Sequence, residues 1–307
     1  MPNKLYLECY SGISGDMTVA ALLDLGADQQ VLLEGLESLN LPGYQLKIGR
    51  VKKNGIDACD FDVILDEPEH HHDHDHEHHH EHDHEHHHDH EHEHHHDHDH
   101  DHDHEHHHDH DHEHHHHHDH EHHHDHDHEH HHHHDHVHRN IGDIFAIIDQ
   151  SKISDRAKQT AKDIFRIIAA AESKAHGIAE DQVHFHEVGA VDSIVDIVSA
   201  AICLDNLDIT EAVVSDLYEG CGYVHCQHGL MPVPVPAVVN IAADNALRLR
   251  LTQTRGEMIT PTGAAIAAYL SKGGKLPESF VIEKIGLGAG KKDFATANIL
   301  RAFLIRD

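Results

Sequence analysis

The sequence predicts an α+β fold of mixed sheets and helices that carries one long disordered surface loop. Three observations predict it. Strand-like alternation and helix-period apolar faces both occur, but without a regular strand–helix–strand rhythm. Turn and cap signals punctuate them at irregular spacing. A run of 67 residues, His70 to His136, contains only His, Asp and Glu and has no apolar side chain with which to build a core.

In chain order, "KLYLECYSGISGDMTVAALLDLGA" opens with a strand pattern through Leu5, Tyr6 and Leu7. A glycine turn follows, then a helix from about Met17 to Leu25. "YQLKIGRVKKNGIDACDFDVIL" alternates as two strands around Asn54-Gly55, a strong hairpin signal. The acidic histidine tract leaves from just after a strand, near Pro68, and returns at Val137, as an enlarged surface loop would. "RNIGDIFAIIDQSKISDRAKQTAKDIFRIIAAAESKAHG" reads as two helices. The second has Ile164, Phe165, Ile167, Ile168 and Ala171 on one face and ends at His176-Gly177. A further helix spans about Val191 to Leu204, and a short one follows Pro236. "LRLRLTQT" alternates as a strand, Thr260-Pro261 starts a helix, and "SFVIEKIGLGAG" and "NILRAFLI" are late strands. The organisation expected is an N-terminal αβ segment (1–68), the insertion (69–137), and the remainder of the same α+β core (138–307).

Without the tract about 240 residues remain, with 33 Asp and Glu against 22 Lys and Arg, a net charge near −11. That balance argues against a nucleic-acid or anionic-membrane partner. No run of 18 apolar residues exists, and MPNKLYLECYSG has no apolar signal-peptide core, so the expectation is a cytoplasmic chain. Cys9, Cys59, Cys203, Cys221 and Cys226 are an odd number at irregular spacing, which suits thiols or ligands better than disulfides.

The tract holds 44 of the 50 histidines. Imidazole and carboxylate together suit Ni, Zn, Cu and Co ions, and many interchangeable sites describe capture and buffering. Catalysis needs fixed geometry, so it must lie elsewhere. Four stretches offer it. Ser11, Gly12, Ile13, Ser14, Gly15 and Asp16 form a turn whose amides can cradle an anion, or simply a tight turn capped by Asp16. In "VHFHEVGAVDSIVDIVSAAIC", His184 and His186 point the same way beside Glu187. Asp192, Asp196, Ser199 and Cys203 form one polar stripe on a helix of Ile, Val and Ala. That stripe carries ligand-type groups, with a solvent-facing surface as the alternative. In "GCGYVHCQHGLMPVPVP", Cys221, His225, Cys226 and His228 are soft-metal ligands within eight residues, or a structural loop with buried thiols. "GEMITPTGAAI" offers a phosphate-binding helix start at Thr260, Thr262 and Gly263, or only a cap. "GLGAG" at Gly286 to Gly290 is a weak nucleotide signal.

As a set and in this order, "ECYSGISGDM", "HFHEVGAVDSIVDI", "HGLMPVPVP", "GEMITPTGAAI" and "GLGAGKKDF…NILRAFL", with the histidine-rich insertion before the second, closely resemble the LarC family of nickel-insertion proteins. The resemblance covers residues 4–68 and 138–305, with Glu8, Tyr10 and Val235 where Asp, Phe and Ala are commoner. It implies a nickel chelatase of the lyase class that inserts nickel into pyridinium-3,5-bisthiocarboxylic acid mononucleotide. The product is the nickel-pincer cofactor of lactate racemase-type enzymes, with nickel bonded to two sulfurs and a ring carbon. It also implies CTP with a divalent metal, bound in a further domain beyond Asp307. That domain is in some members a separate or frameshifted C-terminal half, and an apo lactate racemase-type enzyme acts downstream. The chemistry then asks for a base (His184 or His186 beside Glu187), an open nickel site (Asp192, Asp196, Cys221, His225, Cys226, His228) and a phosphate cradle. Two other readings stand beside it: a non-enzymatic nickel store or metallochaperone, and an inactive half awaiting its partner.

Overall fold

The structure, a computed structural model, describes residues 3–66, 139–183, 191–226 and 228–306. The tract His70–His136, read as disordered, lies outside them, as do His184, His186 and Glu187. The described residues fold as α+β. Strand β1 (Asn3–Glu8) leads into helix α1 (Gly15–Leu25), α2 (Gln29–Glu37), and the hairpin of β2 (Tyr44–Lys53) and β3 (Ile56–Leu65). Next come α3 (Ile141–Gln150), α4 (Asp155–His176), α5 (Val191–Asn206) and four short strands: β4 (Ile209–Val214), β5 (Leu217–Cys221), β6 (Tyr223–Cys226) and β7 (Gly229–Pro232). The chain ends with α6 (Pro236–Asp244), β8 (Leu249–Arg255), α7 (Pro261–Leu270), β9 (Val281–Ala289) and β10 (Ile299–Arg306).

Local chemistry explains these boundaries. Asn54 and Gly55 both adopt positive φ, as a two-residue hairpin turn requires, and the register runs from Lys53↔Ile56 to Tyr44↔Leu65. Asn140 and Asp143 form a reciprocal capping box on α3, Ser154 caps α4, and Thr260 caps α7 with Pro261 at its first position. Gly177 closes α4 in the left-handed region.

The main sheet has the order β2-β3-β9-β10-β1-β4. The late strands β9 and β10 are thus inserted between the early ones, β10 pairing antiparallel with β1 while β4 lies parallel to it. Helices α1 and α5 pack between this sheet and an outer helix, α4, which also meets α6 and α7. Alternation on β1 turns Leu5 and Leu7 into the main core, while Tyr6 joins Phe303, Ile305 and Val213 in a small cluster. On α4 Ile164, Phe165, Ile168 and Ala171 are buried. A Cβ added at Gly286 or Gly288 would overlap the backbone carbonyls of Ala21 or Met17. These two glycines of "GLGAG" therefore let α1 lie close on β9, and the stretch is a strand rather than a nucleotide loop. Among the described residues no helix is long and apolar enough to cross a membrane, and no cysteine is joined in a disulfide.

Candidate functional site

Helix α5 sets the site. Ile194, Val195, Ile197, Val198, Ala200, Ala201, Ile202 and Leu204 are buried, and a helix that is apolar nearly all round belongs inside a protein. Its polar stripe therefore does not face solvent. Ser199 and Cys203 sink into the core, and burial pushes the Cys203 thiol up to about 12, which makes it a poor metal ligand. Asp196 and Asp192, about one and two turns before Ser199, instead face a cleft of about 350 Å³ where the N-terminal ends of α1, α5 and α7 meet.

Two loops complete that cleft. The amide of Ile13 donates to the Met258 carbonyl at 3.0 Å, and the amide of Thr260 donates to the Ile13 carbonyl at 3.1 Å. Gly12, at φ 87°, and Gly263 sit where this contact is tightest; a Cβ would overlap Met258 or Ile13 backbone atoms. Glu219 of β5, fully buried, braces the second loop by accepting from the amides of Met258 (2.7 Å), Ile259 (3.2 Å) and its neighbour Gly220 (2.8 Å).

Some first-turn donors of the three helices are already engaged. Thr260 accepts from Gly263 at 3.1 Å. The amide of Asp16 donates to the Asp196 carboxylate, and Asp192 accepts from the amides of Ser193 and Asp192 itself. Ser14 makes no side-chain cap on α1 and donates its hydroxyl to Asp16 instead. Ser14, Gly15, Asp16, Thr260 and Thr262 line the cleft, whereas Gly12 and Gly263 join the loops. The structure therefore brings the anion-cradle residues to the site but gives the two glycines a packing role.

The charge pattern is acidic and strained. Burial pushes the Asp196 carboxyl well above the usual range, and the nearby Asp16 and Asp192 charges push it further. Burial likewise raises Asp16, against the opposing Ser14 hydrogen bond, and raises Asp192. One oxygen of each α5 carboxylate, Asp192 Oδ1 and Asp196 Oδ1, is sealed from solvent with no hydrogen-bond partner. A carboxylate left this way at a cleft wall is completed by a proton or a cation. The facing cation is Lys291, directly after β9, which pairs with Asp60 at 2.7 Å and Asp62 at 3.2 Å on β3. Lys291 and Glu219 carry no sequence signal of their own; the KK after "GLGAG" and the acidic alternation of "ACDFDV" become informative only once β3 and β9 are known to adjoin.

The soft-metal candidates Cys221, His225, Cys226 and His228 are not brought into one group. Among the described residues no three His, Cys, Asp or Glu side chains form a metal-holding group. Strand pairing is the reason: β6 pairs with β7 from Tyr223↔Pro232 to Cys226↔Gly229, so His225 and Cys226 point to opposite faces. His228 sits in the connection, with its ring against His176. The cleft carboxylates also close no three-ligand cage, which leaves positions for donors that a bound molecule brings. A larger hollow of about 720 Å³ beside α2 and α5 contains Asp205, already bonded to Ser154 at 2.5 Å and paired with Arg156 at 3.5 Å.

Comparison with known proteins agrees with the motif resemblance. A family model described as nickel insertion protein matches residues 5–307. A relative from Alkaliphilus metalliredigens is 55% identical over all of this chain and 61% of its own length; its name is pyridinium-3,5-bisthiocarboxylic acid mononucleotide nickel insertion protein. Relatives of the same name from Clostridium acetobutylicum (43% identical, 98% of this chain, 63% of theirs) and Acetivibrio thermocellus (36%, 98% and 60%) agree. The chain spans about three fifths of the length of these relatives. No solved structure matches it. With a family model matched over nearly its whole length and relatives this similar, the chain belongs to the nickel insertion protein family.

Proposed function

We propose that this chain takes part in inserting nickel into pyridinium-3,5-bisthiocarboxylic acid mononucleotide, and that the α1–α5–α7 cleft is where the nucleotide and the metal meet. The observation that carries this is the pair of buried, partnerless oxygens of Asp192 and Asp196 beside Asp16 and Lys291. Forming a nickel–carbon bond replaces a ring C–H bond: the C–H electron pair passes to nickel and the proton must go to a base. A carboxylate whose pKa stands well above the usual range is suited to accept it. A borderline dication such as Ni²⁺ accepts both oxygen and sulfur donors, so one or two cleft carboxylates could hold it while this substrate brings two sulfur acids. Lys291 and the α7 start line the same cleft and would face its phosphate. His184, His186 and Glu187 stay in the proposal as alternative base or ligand. Three residues lie between Glu187 and Val191, so the two are at most about 14 Å apart even when the chain is extended.

The finer parts of the reading belong to the same proposal. The His70–His136 tract, inserted between the two parts of one core, stores nickel. CTP with a divalent metal is used by the complete family form, through a C-terminal half. The product serves a lactate racemase-type enzyme, and the chain works in the cytoplasm. The experiment supplies the full chain with nickel, nucleotide, CTP and the complementary part of a relative, and follows activation of apo lactate racemase. In parallel, nickel-induced thermal stabilisation is measured. Nickel held by a tract that binds folded and unfolded chain alike adds no stability, so any gain reports a folded site. Asp196→Asn is expected to abolish activation and to shrink the nickel-dependent gain. Full activity together with an unchanged nickel-dependent gain would move the site away from the cleft.

A further inference from the structure

Outside the cleft, two ligand-type side chains far apart in sequence come together. His176 is the last residue of α4, and His228 lies in the connection between β6 and β7. Their ring centroids are 4.9 Å apart and the planes are inclined at 45°. We propose that His176 and His228 form a two-imidazole binding site for a borderline transition-metal dication such as Ni²⁺, separate from the cleft.

The spacing is that of shared coordination. A metal sits about 2.1 Å from an imidazole nitrogen, hence about 3.2 Å from the ring centroid. Two such rings at ligand angles between about 90° and 110° have centroids about 4.5–5.2 Å apart, and the observed separation falls inside that interval. The surroundings favour a cation. His176 Nε2 lies 3.4 Å from Glu172 Oε2, one turn back on the same helix. A carboxylate on the outer nitrogen fixes a metal-ligating imidazole in orientation, so His176 would bind through Nδ1. His176 also stands at the C-terminal end of a 22-residue helix, where the aligned carbonyls attract positive charge. The neighbouring lysine, Lys174, is turned away into a pair with Asp244 at 2.5 Å.

Two imidazoles fill only part of a dication's coordination sphere. Water or an incoming ligand fills the remaining positions, and the metal exchanges readily. Imidazole donors select Ni, Cu, Zn and Co over Mg and Ca. Both histidines are solvent-exposed, so replacing either leaves the core untouched.

The test is carbethoxylation footprinting of the full chain, read residue by residue by mass spectrometry, with nickel salt as the probe in excess of the tract's capacity. Nickel at ten times its dissociation constant should slow modification of both His176 and His228 about tenfold, and magnesium should not. In His228→Ala the protection of His176 should vanish, and in His176→Ala that of His228, while Asp196→Asn should leave both protected. Absence of protection in the unaltered chain, or protection of either histidine that survives loss of the other, would reduce the pair to a packing contact and overturn the proposal.

Discussion

The α1–α5–α7 cleft and the β6–β7 hairpin begin as equals in the sequence: each is a short stretch crowded with metal-capable side chains. The structure treats them differently. On α5 a four-residue spacing puts Asp192 and Asp196 on one side of a helix wrapped in apolar neighbours, so both carboxylates are forced toward the same opening. On the hairpin, adjacent positions alternate, and strand pairing sends His225 and Cys226 to opposite faces. Ligand-type residues converge when helical period and burial act together; density in sequence alone does not bring them to one point.

That comparison is broken or sharpened first at Asp196. If the cleft carboxylate handles a proton or the metal, Asp196→Ala should lower the rate of cofactor maturation by about 10²–10⁴-fold, the usual cost of losing a positioned acid–base group. Gly15→Ala is the subtler version. A Cβ there overlaps the Asp196 carboxylate, so Asp196 must move without changing its chemistry. A displacement of about 1 Å costs on the order of 10²-fold in rate, and overpacking costs about 1–3 kcal/mol of stability. Chemical denaturation beside the maturation assay separates the two effects, and a Gly15→Ala chain with normal activity would remove Asp196 from the reaction.

A smaller effect concerns pH. The folded Asp196 carboxyl holds its proton more tightly than the unfolded one. Its contribution to stability is therefore complete below the unfolded value, near 3.9, and is lost as pH rises through the folded value. Asp196→Asn removes that loss. Metal-free Asp196→Asn should melt at the same temperature as the parent chain near pH 4 and progressively higher as pH rises to neutrality, by about 2–4 °C for each kcal/mol. Melting curves across that range decide it. An advantage that is greatest in acid and fades toward neutrality would contradict the burial account of this carboxylate.

Much of the fold was legible because local chemistry and tertiary structure agree. Asn54-Gly55, Thr260-Pro261, the α4 face at Ile164, Phe165 and Ile168, and the Gly177 stop all stand where their residue types put them. The strands β4 to β7 were missed, being short and without clean alternation. The insertion of β9 and β10 between β3 and β1 is a long-range pairing that no local pattern encodes. The same limit governs the site. The turn Ser11–Asp16, the α5 stripe and the Thr260 start each drew notice separately, but their meeting depends on the backbone contact between Ile13 and Met258. Lys291, Glu219 and the His176–His228 contact follow from that long-range order and could not precede it.

The smallest expected effects fall on the hairpin, and they test the comparison from its other side. Cys221→Ser and His225→Ala alter side chains that no metal-holding group of the described residues includes. His225 is exposed and Cys221 only half-buried, and the β6–β7 pairing is made by backbone groups that both substitutions keep. Surface changes of this kind stay within about 0.5 kcal/mol. Maturation rate and melting temperature should both remain close to those of the parent chain, while the Asp196 variants fail. The double variant makes the result sharper, since two silent changes add to a silent pair when neither belongs to a shared site. If instead the double variant loses nickel insertion as severely as Asp196→Ala, the hairpin holds the metal in a rearranged form, and the strand register that separates His225 from Cys226 must open for the chain to work.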